Sequence, residues 1–283
     1  MVRGSAPSAR RFADRADGRI PRLIVDIQLN QGKLHWPALA ERAQAAEIAG
    51  FGAVWVFDHL AGTSTRGDHM FEAFTLLGAL AATTTTIELG TMVANVNNRT
   101  PAVLALAAAS VDAIADRRFH LGIGSGAAPD SRWATEMHAV DQPILPTAAS
   151  RHAALERVLD TLERLWAPTR DPKLATFPLP RRRPAVIVGV GGSELAAIAG
   201  RKASGVNVAW HHPRREELLA AAEAAAGERS DFLLTAWTIW HDALLDPDHP
   251  ERRAAAARGI QRFVLLALTD VTPEHIARTT VNG

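Results

Sequence analysis

An acid and an imidazole stand side by side at Asp58-His59, directly after the apolar run Ala53-Val54-Trp55-Val56-Phe57. Of the common side chains the imidazole is best suited to exchanging a proton near neutral pH. The run before it has no polar alternation, as in a strand buried on both faces. Parallel strands of that kind present their chemistry at the C-terminal edge of the sheet. The alternative is an aspartate capping the next segment beside an ordinary loop histidine. Two glycine-rich stretches offer a second kind of chemistry. Gly122-Ile123-Gly124-Ser125-Gly126 and Gly189-Val190-Gly191-Gly192-Ser193 each lie at the end of an apolar run, and glycines there let backbone N–H groups approach an anionic oxygen. The second stretch is the stronger signal. Ser193 is placed to cap a helix beginning at Glu194, which would bring the positive helix end to a phosphate; a plain turn with an N-cap is the alternative. The first stretch has no helix after it, so it does not match the dinucleotide fingerprint, and a tight loop is its alternative.

Other chemistries find less support. The eleven histidines include His211-His212 and His241, but none shows the helical spacing of a metal site, so no metal is expected. Gly124-Ser125-Gly126 has the wrong spacing for a nucleophile elbow, which disfavours acyl transfer. Absence of cysteine excludes thiol nucleophiles and disulfides, and fits a reducing cytoplasm. A net charge of +1 supplies no field for nucleic acid or an anionic membrane. No apolar stretch approaches the roughly 18 to 20 residues that span a bilayer. Arg3, Arg10, Arg11, Arg15 and Arg19 crowd the first twenty residues without an apolar stretch behind them, so residues 1–20 read as a disordered basic tail and not as a secretory signal.

The elements that must position these groups alternate from residue 21 onward. Strand candidates are Leu23 to Leu29, Ala53 to Phe57, Ile87 to Val93, Phe119 to Gly124, Ala185 to Gly189, Val206 to Trp210, Phe232 to Trp240 and Arg262 to Leu268. Helix punctuation falls between them. Pro37 opens a helix with Gly50 just past its end, Thr100-Pro101 is a cap followed by a first-turn proline, and Leu155, Val158, Leu159, Leu162 and Trp166 form an apolar stripe. Eight strands each followed by a helix, in 283 residues that are 47% hydrophobic, make a single-domain α/β fold, the (β/α)8 TIM barrel, the economical architecture over residues 21–283. A doubly wound sheet is the competitor. Ala127 to Thr147, with three prolines, reads as a long loop. Ala167 to Pro184, with five prolines and Arg181-Arg182-Arg183, reads as a shortened insertion before strand five that carries a solvated turn. In a barrel the first strand also delivers Asp26, Gln28 and Asn30 toward the mouth.

Taken in order, Gly50 to Leu60, Phe71 to Phe74, Ile87 to Val93, Arg99 to Ala105, Asp116 to Gly126, Arg151 to Trp166 and Val188 to Gly200 resemble the luciferase-like monooxygenase superfamily. These are bacterial-luciferase-type barrels that bind a flavin or the deazaflavin coenzyme F-420, and the match covers most of residues 21 to 210. The resemblance implies that Asp58 and His59 sit against the tricyclic ring, with His59 the catalytic acid/base. It implies a bulge with a non-proline cis peptide between Met92 and Val93 beneath the ring, and Asn95 against the ring or ribityl chain. Ser125, Gly126, Gly191, Gly192 and Ser193 would hold the ribityl and phosphate portions. Trp55 to Leu60 and Leu89 to Val93 look closest to the deazaflavin branch, which implies an oxidoreductase moving hydride between F-420 and a small-molecule substrate. A monooxygenase using FMN is the first alternative, and a non-catalytic barrel serving as a partner subunit the second. Sugar-phosphate dehydrogenases of this superfamily carry a glutamate after the Gly-x-Gly-x-Gly loop, where this chain has Ala127, and that chemistry is not expected. Pairing as a homodimer through the alanine-rich helix from Pro101 to Asp116 is also implied.

Overall fold

The computed structural model describes residues 23–269, 271–278 and 281. The expected tail, residues 1–20, lies outside them. Eight strands, β1 (Ile24–Leu29), β2 (Ala53–Val56), β3 (Glu88–Asn95), β4 (Phe119–Gly124), β5 (Ala185–Gly189), β6 (Gly205–Ala209), β7 (Leu233–Ile239) and β8 (Arg262–Ala267), close into one barrel in chain order. Every neighbouring pair is parallel, including β1 with β8. The helices are α1 (Trp36–Ile48), α2 (Ala73–Thr83), α3 (Pro101–Ala115), α4 (Thr135–Ala139), α5 (Ala148–Trp166), α6 (Ser193–Lys202), α7 (Arg215–Ala226), α8 (Pro250–Arg258) and α9 (Pro273–Ala277). The doubly wound alternative is excluded by closure.

Local sequence accounts for most boundaries. Pro37 lies in the first turn of α1, and Gly50 beyond its end takes φ 77°, a left-handed geometry that glycine adopts without a Cβ clash. The Thr100 side chain accepts from the Val103 N–H at 3.4 Å ahead of Pro101. Thr147 and Ser150 form a capping box for α5, whose stripe Leu155, Val158, Leu159, Leu162 and Trp166 is wholly buried. Alternate strand residues divide the core in two. Ala53, Trp55, Met92, Ile187 and Val264 fill the barrel, while the larger cluster, with Val54, Val56, Leu80 and Leu104 among it, lies between strands and helices.

Three expectations need correction. The stretch from Ala127 to Thr147 is not a bare loop, since it contains α4 and a short 3-10 turn, Arg132–Ala134. Ser193 does not cap α6: the helix starts there with Gly192 in the capping position, and the serine hydroxyl is drawn to α7, donating to Glu217 Oε1 at 2.6 Å and accepting from Arg214 Nη2 at 2.9 Å. Asp26 does not reach the mouth. It is fully buried inside the barrel, accepting from Trp55 Nε1 at 2.9 Å and from Arg262 Nε at 2.7 Å.

Candidate active site

β2 hands the chain to Phe57, Asp58 and His59 at the C-terminal rim. Asp58 is buried, and its carboxylate accepts both arms of Arg99, Nη1 on Oδ2 and Nη2 on Oδ1, each at 2.8 Å. Oδ2 also accepts the backbone N–H of Asn95 at 2.9 Å. Arg99 pairs with Glu72 as well and lies 4.8 Å over the Phe74 ring. Burial pushes the Asp58 carboxyl above its ordinary value against the pull of Arg99. Desolvation lowers the Arg99 guanidinium, yet hydrogen bonds and charge from Asp58 and then Glu72 carry it above its ordinary value. A bidentate pair fixes direction as well as distance. Asp58 therefore ties the end of β2 to the end of β3 and the start of α3.

His59 points elsewhere. Its Nδ1 lies 3.0 Å from Glu136 Oε1, while Glu136 Oε2 accepts the Ala61 N–H at 3.2 Å. Trp133 stacks against the imidazole with ring centroids 5.8 Å apart, and Phe57 flanks it at the same distance with a 48° tilt. Glu136 and Trp133 belong to α4 and to the 3-10 turn before it.

Beneath this corner β3 breaks register with β4 between Thr91 and Ala94, and the Met92–Val93 peptide is cis. Gln28 Nε2 donates to the Met92 carbonyl at 2.7 Å. The Val93 side chain spreads over the glycines of the next two strands: a Cβ added at Gly124 or Gly189 would come within 2.7 or 2.9 Å of it. Asn97 Nδ2 donates to the Ser125 carbonyl at 3.1 Å. Gly126 has φ 88°, and a side chain there would collide with Asn97. Past β5, a Cβ at Gly191 or Gly192 would meet nothing within 4 Å, and no side chain caps α6. These residues open a ten-residue helix, whose first-turn backbone amides have no acceptor within the helix. A cavity of about 370 Å³ adjoins it, lined by Trp210, His212, Arg214 and Glu217 among others.

The structure therefore brings Asp58, Met92, Val93, Asn95, Ser125 and Gly126 together, with His59 beside them and Gly191, Gly192 and Ser193 two strands along. Asn30 is taken up in the loop, donating to the Thr65 carbonyl at 2.9 Å. His211 pairs with Glu251 at 3.3 Å. Among the described residues no group of three or more His, Cys, Asp or Glu side chains could hold a metal ion, and no helix is long and apolar enough to cross a membrane. Sequence reading missed Arg99, Glu136 and Trp133 as members of the site. Residues 130–142 contain neither proline nor glycine, and that uninterrupted stretch was the available signal for α4.

Comparison with known proteins gives a consistent picture. The sequence model of the luciferase-like monooxygenase family matches residues 24–272. The F420-dependent hydroxymycolic acid dehydrogenase of Mycobacterium tuberculosis is 27% identical over 267 residues, 90% of this chain and 71% of that protein. An F420-dependent glucose-6-phosphate dehydrogenase of Beutenbergia cavernae is 31% identical over 242 residues, 79% of this chain and 68% of that protein. Other glucose-6-phosphate dehydrogenases of this kind are spanned over about half of their length. An F420-dependent secondary alcohol dehydrogenase in complex with an F420-acetone adduct superposes with a TM-score of 0.69 at 16% identity, over 90% of this chain and 96% of that one, a likeness of fold.

Proposed function

Because the chain belongs to the luciferase-like monooxygenase family, we propose that it is an oxidoreductase that passes a hydride between the deazaflavin coenzyme F420 and a small organic substrate. The observation that carries this reading is His59, anchored through Nδ1 to Glu136 directly after Asp58, whose carboxylate accepts the N–H of Asn95 two residues past the bulged segment Met92-Val93. When bound, the deazaflavin supplies hydride chemistry at C5 of its ring. Met92 and Val93 would form the floor under that ring, and Asn95, Ser125 and Gly126 would line the ribityl chain. The amides at Gly191, Gly192 and Ser193, at the start of α6, would take the phosphate beside the ion pair of Arg214 with Glu217. Asp58 would contribute by shaping the pocket wall through Arg99 and Asn95. His59 exchanges the proton with substrate. Ala127 stands against a sugar phosphate as substrate. The proposal also comprises a cytoplasmic location, in keeping with the absence of cysteine, and a homodimer.

Titration of the purified protein with F420 and with FMN, followed by fluorescence of the ring, tests the reading. Saturable F420 binding is expected. A bulky side chain at the open turn, Gly192→Val, should weaken it at least tenfold, about 1.4 kcal/mol, by blocking approach of the phosphate to the amides. Unchanged affinity in that variant would remove the turn from the site. Preference for FMN would favour a monooxygenase, and binding of neither would favour a barrel acting as a partner subunit.

A further inference from the structure

We propose that Glu136 is the positioning residue of His59, holding the imidazole in the tautomer with its proton on Nδ1 and so presenting Nε2 to the substrate. The assignment rests on the hydride-transfer reading for its meaning and on geometry for its evidence. The Glu136 side chain is only 2% exposed. Both of its oxygens are engaged with the segment that carries the histidine: Oε1 with His59 Nδ1 at 3.0 Å and Oε2 with the Ala61 N–H at 3.2 Å. Burial raises the Glu136 carboxyl, but the hydrogen bond and charge of His59 and the N–H groups of Ala61 and Leu60 bring it below its ordinary value. It is therefore ionised at neutral pH. An ionised carboxylate accepts and cannot donate, so the shared hydrogen belongs to Nδ1 and the neutral ring keeps its lone pair on Nε2. Trp133 and Phe57 flank the ring and limit its rotation. Among the described residues no group hydrogen-bonds Nε2, and the imidazole retains 23% of its exposure. The proton that an alcohol releases, as its carbon gives up hydride to the deazaflavin, passes to Nε2. The buried carboxylate then faces an imidazolium, the state it stabilises. In carbonyl reduction the same proton travels the other way.

The test is nitrogen NMR on the cofactor-free, ¹⁵N-histidine-labelled full chain, with the His59 signal assigned by its loss in His59→Gln. In the wild type His59 should be protonated on Nδ1. Glu136→Leu should move it toward the form with the proton on Nε2, which free histidine prefers, and should lower turnover about 100-fold or more. Glu136→Gln must turn its single oxygen to the backbone N–H groups of Ala61 and Leu60, which leaves its NH2 facing Nδ1, so His59 should switch to the Nε2-protonated form and kcat should fall about 100-fold or more at an unchanged KM. An Nε2-protonated His59 in the wild type, or a His59 spectrum indifferent to Glu136→Leu, overturns the proposal. Should Glu136→Leu fail to fold by circular dichroism, an unchanged kcat in Glu136→Gln overturns it instead. The spectrum needs no cofactor, so a protein that binds no F420 would sink the functional reading and leave this one standing.

Discussion

Asp58 and His59 are neighbours in the chain with opposite assignments. The Asp58 carboxylate is spent on Arg99 and the Asn95 N–H, whereas His59 is fixed through one nitrogen and open at the other. We therefore propose His59, and not Asp58, for the chemistry. His59→Ala should cost roughly 100- to 10,000-fold in turnover, the span for loss of a general acid or base, with a much smaller change in cofactor affinity. Single-turnover rates at saturating cofactor check this. If His59 were only a wall of the pocket, affinity would fall and the rate of the saturated enzyme would hold. Both residues were legible because a buried apolar run ends at them. Their partners were not: Arg99 lies 41 positions from Asp58 and Glu136 lies 77 from His59, and a side-chain pair across such separations leaves no periodicity to read.

At the scale of the element, legibility tracked how local the determining forces are. Apolar runs located all eight strands to within a residue or two, since burial on both faces writes itself into consecutive positions. β3 runs two residues past the expected Val93, because Ala94 is buried and Asn95 finds an acceptor in Asp58. Ser193 was expected to serve its own helix, but Glu217 on α7 and Arg214 just before it take up its hydroxyl in place of the local amides. The turn joining α2 to β3 depends on a similar distant group. Glu47 on α1 receives the N–H groups of Thr85 and Ile87 on Oε1, each at 2.9 Å, and that of Thr86. Partial burial raises this carboxyl, yet hydrogen bonds from Thr86 and Ile87, then Thr85, bring it from 4.5 down to about 2. A folded-state value below the unfolded one means that stabilisation is complete above pH 4.5 and is lost as pH falls toward 2. Glu47→Ala should thus lower stability by about 1.5 to 3 kcal/mol at pH 7. Urea denaturation of both proteins should show the gap closing between pH 4.5 and 2. A gap independent of pH would mean that the charge of Glu47 contributes nothing.

The molecule as a whole is unevenly charged around its helical ring. Inside the barrel, Arg262 joins Asp26 and Glu88, and His120 meets Glu88 at 2.8 Å, so these ionisable groups are held among themselves. Outside, Arg181 and Arg183 of the arginine run sit in exposed pairs with Asp116 and Glu163. The helices α5, α7 and α8 carry charges in most of their turns, as outward faces in water do. The neighbouring α2 and α3 differ. Between them they hold one charged side chain, Asp112, and it is buried. Of the small residues expected to allow close pairing, Ala102, Ala105, Ala107, Ala108, Ala109 and Ser110, the residues Ala105, Ala108 and Ala109 are buried against their own barrel, while Ala102 and Ser110 are exposed beside Val103, Leu106 and Ile114, at 49%, 47% and 55% exposure. Three large apolar side chains on one outward helix face, with no charge around them on either helix, suit burial against a second copy of the same surface. Light scattering at micromolar concentration should give twice the 30.4 kDa chain mass. Leu106→Glu places a carboxylate in the centre of that face, where two-fold pairing sets it near its own copy, and should return the protein to the monomer mass. Because Leu106 already faces water in the single chain, circular dichroism of the variant should match the wild type. A wild-type monomer at that concentration would end the dimer and leave the apolar face of α2 and α3 to another partner.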